Sequence, residues 1–381
     1  MPAKSGNEKH AETVKQHHQD LAVARTDDGD RPAGLAGRPL SGLSPEHLDW
    51  CREQIRRHCS RTADIVSVLQ VPSRTAQVYR LVAATPSGQT AYFLKCYPHP
   101  WHEADLNERF SRLYAIAETF ERSDIVSPYR VIGSNAELGL LLTLETAGDS
   151  LLTIHRTMTR RLGLGDATAA VRAWYGLGVW LDMLHWRTLP SRLSTTRVSE
   201  VAEYTGERFQ EWGERDPRRA RLARHALETV AFVASEAARR PVRMTLCHGD
   251  VSAGNIIVGK DVSLVDPDDS RFDMPALDIS QALMELREFG FVASVVPLRG
   301  FARTARAAFV AGYGHRLPEG PEFWLPHLRN LSVYLLTLAR RCRGISMYRV
   351  SEEVRYRRTI RELKRCMKES RSSGGATAYP V

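Results

Sequence analysis

The hydrophobic pattern of this chain changes period once. From Asp64 to about Leu144 the apolar residues come in short alternating runs, and after "ETAGD" (145–149) their spacing turns helical. A chain divided in this way must build two cores of different kind, one under a sheet and one among helices. The expected class is therefore α+β in two lobes, a small β-rich one followed by a larger helical one. In the first stretch "DIVSVLQ", "QVYRLVAAT" and "TAYFLKCY" read as strands, with "PSGQ" as the turn before the third. Leu106, Phe110, Leu113, Ala117 and Phe120 then recur at helical spacing, and "YRVIGS", "NAE" and "LGLLLTL" form a further hairpin. In the second stretch "AAVRAWYGLGVWLDMLHW" is apolar enough for a buried helix. Residues 200–240 read as exposed helices rich in Arg and Glu, and helices resume from Asp278 to about Ser370. The lobes are placed at 45–144 and 145–371. The flanks 1–44 and 372–381 mix Gly, Pro, Ser and charge without apolar periodicity and are expected to be disordered.

Composition removes several classes. The 43% hydrophobic and 25% charged content is ordinary globular usage. No apolar run approaches the ~18 residues of a membrane span, and the first thirty residues carry no apolar signal-peptide segment. The six cysteines show no C-x-x-C pair, so neither a zinc ribbon nor a disulfide framework is indicated, and a cytoplasmic location is expected. The net charge of +9 suggests nucleic acid until it is placed along the chain. Residues 339–371 hold twelve Lys/Arg against four Glu, while the rest of the chain outside 1–44 holds 35 basic and 34 acidic residues. The body is close to neutral, and no nucleic-acid partner is expected.

The informative stretch is "TLCHGDVSAGNIIVGKDVSLVDPDDS", residues 245–270. An apolar run ends at Cys247, His248-Gly249-Asp250 makes a sharp turn, and Asn255 follows five residues after the Asp. Ile256-Ile257-Val258 and "VSLV" form a hairpin about Gly259-Lys260-Asp261, and Asp266 ends its return strand. One carboxylate and one amide thus share a loop, and a second carboxylate folds back beside them. Phosphoryl transfer needs such a set, with one Asp to orient or deprotonate the attacking hydroxyl and oxygen ligands to hold Mg²⁺ against nucleotide phosphates. The Asp-x4-Asn spacing with a metal Asp on the following hairpin is that of kinase catalytic loops.

With "HGDVSAGNIIV" and "LVDPDDS" the chain resembles the aminoglycoside phosphotransferase and choline kinase-like superfamily, a branch of the protein-kinase-like fold. "LGVWLDMLHW", ending in Leu184-His185, and the connector "LLLTLETAGDSLLTI" are similar as well, and the likeness extends over about 64–340. The resemblance implies a two-lobed fold in which 45–144 binds ATP or GTP and 145–371 carries the catalytic and metal loops. It implies Asp250 as catalytic base, Asn255 and Asp266 as Mg²⁺ ligands, and Lys95 as partner of the nucleotide's α/β-phosphates, held by Glu108. Glu103 is the other candidate for that pairing. The plain alternatives are an edge-strand Lys95 facing water and a Glu108 paired with Arg112 four residues on. The acceptor implied is a hydroxyl of a small molecule: an amino sugar, sugar, amino alcohol or antibiotic.

Departures from the family pattern narrow the reading. The loop "VPSRTA" (71–76) has no glycine, leaving Ser73 and Thr75 to offer hydroxyls and backbone N–H groups, and Pro267 follows the metal Asp where a protein kinase has Phe-Gly. The missing glycines motivate a pseudokinase scaffold as an alternative. Asp268 and Asp269 read as a solvated turn, His248 as structural, and Asp278 in "DISQ" as a helix N-cap. His17-His18 and His99/His102 lack metal spacing, and Gly163-x-Gly165 and Gly176-x-Gly178 lack the strand a dinucleotide fingerprint needs. The basic stretch 339–371 reads as a helix with an Arg-rich polar face. The alternative is a patch that recruits an acidic substrate or a membrane surface, which would suit a kinase of a glycolipid or lipopolysaccharide sugar.

Overall fold

A computed structural model describes residues 43–71, 73, 76–97, 103–120, 126–127, 129–160, 167–294, 300–315, 317–341 and 347–372. The expected tails fall outside these residues except for 43–44 and 372, as do Thr75, His17, His18, His99, His102, Gly163 and Gly165. The architecture is α+β. The chain divides into two compact units, one running to Phe110 together with Arg130–Glu145, the other comprising Ser111–Tyr129 and the chain from Thr146 onward.

The first unit opens with a helix that the sequence reading leaves unassigned, α1 (Pro45–His58). Its signals are local. Ser44 is extended at the N-cap and its Oγ accepts the His47 N–H at 3.2 Å, Pro45 supplies a preset φ, and Arg56, Arg57 and His58 sit at the negative end of the helix dipole. Strands β1 (Asp64–Val71), β2 (Gln77–Thr85) and β3 (Gly88–Cys96) follow, then helix α2 (Glu103–Phe120), which from Ser111 onward counts with the second unit, and strands β4 (Val131–Asn135) and β5 (Leu140–Leu144). The sheet is antiparallel throughout in the order β1-β2-β3-β5-β4. Alternation gives each strand one core face. Tyr79, Leu81 and Ala83 of β2, Tyr92 and Leu94 of β3, and Leu140 and Leu142 of β5 pack with Leu48, Cys51 and Ile55 of α1 into one cluster. Residues of the other parity, Arg80, Phe93 and Lys95 among them, point away from that cluster. On this far side Arg80 forks onto Glu145, with Nε at 2.9 Å from Oε1 and Nη2 at 2.7 Å from Oε2.

The second unit continues with β6 (Asp149–Ser150), α3 (Leu151–Arg160), α4 (Ala167–Met183), a π-turn Leu184–Thr188, β7 (Arg192–Ser194), α5 (Arg197–Arg215) and α6 (Ala220–Ala237). Next come β8 (Val242–Cys247), β9 (Ile256–Val258), β10 (Val262–Leu264), a 3₁₀ turn Pro267–Asp269 and β11 (Arg271–Asp273). Helices α7 (Ala276–Ser294), α8 (Phe301–Tyr313), α9 (Pro321–Arg341) and α10 (Met347–Ser372) complete it. Two small sheets, β10-β9-β6 and β11-β8-β7, frame the loops between β8 and β11. Gly178 belongs to a helix crossing: a Cβ there would lie 2.2 Å from the Phe309 carbonyl of α8, and one at Gly312 would lie 2.1 Å from the Tyr175 carbonyl. The backbones approach more closely than any larger residue allows.

Of the basic stretch, residues 339–341 end α9 and 347–371 lie in α10. Tyr356, Ile360, Leu363 and Cys366 form its buried stripe, and the Tyr356 hydroxyl accepts from Trp212 Nε1 and donates to Asp216, both at 2.7 Å. Arg340, Arg355, Arg357, Arg365 and Arg371 each meet a glutamate, so much of the local charge surplus is held in ion pairs of the unit itself. Among the described residues no helix is long and apolar enough to cross a membrane.

Candidate active site

The loop after β8 has no secondary structure to absorb its backbone donors, yet those of residues 248 to 253 are all used. Asp278 Oδ2 accepts the His248 N–H at 2.6 Å and Oδ1 accepts that of Gly249 at 3.0 Å. The Asp250 N–H goes to His248 Nδ1 (3.2 Å), that of Val251 to Gln281 Oε1 (3.0 Å), and that of Ala253 to Glu285 Oε2 (3.3 Å). Ser252 donates to the Asp250 carbonyl at 3.1 Å. Buried backbone donors left unpaired would cost about 1–3 kcal/mol each, so these bonds fix the loop in one shape. Gly249 is required at the turn: its φ is +88°, and a Cβ would stand 2.6 Å from the Asp269 carbonyl oxygen.

Asp278, Gln281 and Glu285 lie three and four residues apart and so share one face of α7. This corrects the N-cap reading of Asp278. The residue sits inside the first turn of α7, and its fully buried carboxylate serves the loop after β8 rather than its own helix. His185 Nε2 approaches Asp278 Oδ2 at 3.1 Å, while its Nδ1 meets the Tyr313 hydroxyl at 3.0 Å. Burial drives the Asp278 pKa upward, but the hydrogen bond and field of His185, the field of His248 and the Gly249 N–H outweigh it and hold the carboxyl below its ordinary value. Glu285 has less help, and burial pushes its carboxyl up to about 7.

His248 is structural, as its sequence context suggests. It is fully buried, packs its ring edge-on to Trp180 at 5.8 Å, and accepts a backbone N–H at Nδ1. Its Nε2 therefore carries the proton and donates to the Val265 carbonyl at 3.2 Å. Burial lowers its pKa, and with both nitrogens engaged it holds no lone pair for a substrate.

Two of the three oxygen-bearing residues hold each other, and the carboxylates of Asp250 and Asp266 both act on this imidazole. Asn255 Nδ2 donates to Asp250 Oδ2 at 3.0 Å and to the Asp250 carbonyl at 3.1 Å, and the Asn255 carbonyl accepts the Val265 N–H at 2.8 Å. Gln281 Nε2 donates to the other carboxylate oxygen of Asp250 at 3.3 Å. Asp266 follows Val265 directly, and Asp250 and Asp266 both exert their fields on His248. Asp266 is the one non-glycine residue among those described with a left-handed backbone, φ 65° and ψ 50°. A non-glycine residue there is strained, and such strain concentrates at functional sites. Because the Asn255 nitrogen faces two acceptors, its Oδ1 is the outward atom, and it accepts no hydrogen bond among the described residues. An amide oxygen beside a carboxylate is the hard donor set that suits Mg²⁺.

Lys95 and Glu108 belong to the first unit. Lys95 lies on β3, the middle strand of its sheet, between Val78 and Leu141, so the edge-strand reading does not hold. Glu108 is exposed on α2, opposite the buried Leu106, Phe110 and Leu113, and Glu103 is exposed as well. The residues that sequence reading missed are Gln281 and Glu285. Their signal is a polar stripe at i, i+3 and i+7 in the otherwise apolar "DISQALMEL".

The model of the phosphotransferase enzyme family (APH) matches residues 67–326. No curated protein sequence matches. Among solved structures the chain is similar to an amicoumacin kinase in complex with AMP-PNP and Ca²⁺ (14% identity, 78% of this chain and 88% of that one, TM-score 0.48). It is also similar to a glucosamine kinase (14%, 82% and 93%, TM-score 0.47) and to an ethanolamine kinase of Plasmodium vivax (14%, 90% and 98%, TM-score 0.43).

Proposed function

The chain belongs to the phosphotransferase enzyme family, and from that premise we propose that it transfers the γ-phosphoryl group of ATP or GTP to a hydroxyl of a small molecule. The observation that carries the reading is the setting of Asp250. Each oxygen of its carboxylate accepts from a different side-chain amide, Asn255 at 3.0 Å and Gln281 at 3.3 Å, so the group is aimed before any substrate arrives. The acceptor oxygen attacks the γ-phosphorus, the bond to the β–γ bridging oxygen breaks, and the hydroxyl proton passes to Asp250. Asn255 Oδ1 and Asp266 are the atoms that would hold Mg²⁺, whose charge offsets that of the phosphates. Lys95 is assigned to the α/β-phosphates, with Glu108 as its acidic partner. Its strand position fixes the root of its reach, which suits an ammonium used as a point charge.

Replacing Asp250 by Asn tests the assignment. Turnover on an accepted hydroxyl compound is expected to fall by about 10²–10⁴, the contribution of a positioned base. The rise in melting temperature on adding Mg²⁺ and ATP should persist, because binding to the native state stabilises it whatever the chemistry. Turnover at the wild-type rate in Asp250→Asn removes the base. Absence of any nucleotide-dependent stabilisation of the wild type would favour the scaffold alternative.

A further inference from the structure

Behind the catalytic loop the second unit gathers more positive than negative charge at one point. The carboxylate of Asp273 is fully buried at the end of β11. Arg197 of α5 forks onto it, Nε at 2.9 Å and Nη2 at 2.5 Å, and Arg271 Nε reaches the same Oδ2 at 3.0 Å. A second carboxylate, Glu200, takes Nη1 of Arg197 at 2.7 Å. Arg329 of α9 completes the group: half-buried, it lies 5.2 Å from the Tyr204 ring centroid and donates to Asn330 Oδ1 at 3.1 Å, and among the described residues it meets no carboxylate. Burial and the fields of Arg271 and Arg197 lower its pKa, against the opposing fields of Asp273 and Tyr204. Three guanidiniums thus act on one another's fields around two carboxylates, both engaged by Arg197 and one also by Arg271. Packing like charges in a half-buried setting is unfavourable unless an anion joins them.

The position of the group matters as much as its charge. Arg271 pairs in register with Cys247, three residues before Asp250, a span of at most ~10 Å of chain. Arg271 Nη1 also donates at 3.2 Å to the Asp269 carbonyl, the atom that faces Gly249. We propose that Arg329, Arg271 and Arg197 form an anion subsite beside the catalytic loop, and that the acceptor is a hydroxyl compound carrying a carboxylate or phosphate within a few bonds of the reacting oxygen. The proposal rests on the phosphotransferase reading for the meaning of acceptor, but the subsite is measurable without nucleotide. A planar, multidentate guanidinium group suits either anion.

The test is calorimetric titration of the full chain, without nucleotide, against gluconate and glucose 1-phosphate, with glucose and glucosamine as neutral and cationic counterparts. Tighter binding of one anion than the other identifies the carboxylate or the phosphate as the preferred group. The expected result is at least a tenfold preference for an anionic probe over glucose. In Arg329→Gln that preference should shrink by about tenfold or more, since hydrogen bonds to charged groups are worth at least that factor. If Arg329→Gln fails to fold, Arg271→Gln, at a more exposed side chain, gives the same comparison. Equal or tighter binding of glucosamine, no binding of either anion, or an unchanged preference in the variant overturns the subsite. None of these outcomes touches the nucleotide-dependent stabilisation on which the phosphotransferase reading is judged.

Discussion

Replacing Asp278 by Asn separates the charge of the loop clamp from its shape. The side chain keeps its volume but can present one acceptor where the carboxylate presents two. With the amide oxygen in the place of Oδ2 it still meets the His248 N–H and His185, but the amide nitrogen then opposes the Gly249 N–H, which Oδ1 now accepts at 3.0 Å. The reverse orientation sets a donor against the two groups at Oδ2. The first case weakens two charge-assisted bonds and strands one buried donor, a loss of about 3–5 kcal/mol. For a unit of this size each kcal/mol shifts the melting temperature by roughly 2–4 °C, so a fall of about 6–20 °C is expected in the transition of the second unit. Scanning calorimetry without ligand measures it, and steady-state turnover should drop in parallel as the loop loosens. The variant should also show a shallower acid limb. The folded pKa of Asp278 lies below its unfolded value, so its contribution is complete above the ordinary carboxylate range and is lost as pH falls through the folded value. A melting temperature within about 2 °C of wild type, with turnover retained, would refute the clamp.

Two other substitutions probe the same unit. Asp266→Gly relieves the left-handed strain at φ 65° and removes the proposed metal ligand, so stability should hold or rise by about 1 kcal/mol in urea denaturation while turnover is lost; full turnover would remove Asp266 from the proposed metal set. His155 is buried against Trp174, and burial pushes its pKa down to about 3, so the unfolded chain binds the extra proton below ~6.5. Stability should therefore fall as pH drops through that window, by about 2 kcal/mol at pH 5, and His155→Phe should flatten the dependence. An equal pH dependence in wild type and variant would refute it.

The parts legible in the sequence are those whose cause is local. Alternation placed β1 to β5, since a strand with one buried face must show period two, and "HGDVSAGN" marked the proposed catalytic loop because its turn, Asp250 and Asn255 lie within a few residues. The helix α1 was equally local, in Ser44-Pro45 and the spacing of Leu48, Cys51 and Ile55, but its apolar positions acquire meaning only against the sheet they cover. Asp278 shows the limit. "DISQ" has the form of an N-cap, and nothing within the helix reveals that the carboxylate turns outward to backbone donors thirty residues away in sequence. The arginines are harder still, because Arg197, Arg271 and Arg329 come from three separate elements.

Sequence alone determined the α+β class and the run of strands β1 to β5 ahead of the helical stretch, and it singled out Asp250, Asn255 and Asp266 as the proposed set, because periodicity and short loops are properties of neighbouring residues. Tertiary structure alone decided that α7 clamps the loop, that Asp266 sits in a left-handed backbone, and that two guanidiniums from separate elements share one buried carboxylate. Those arrangements depend on which distant donors and charges remain unsatisfied once the chain has packed, and no local pattern encodes that sum.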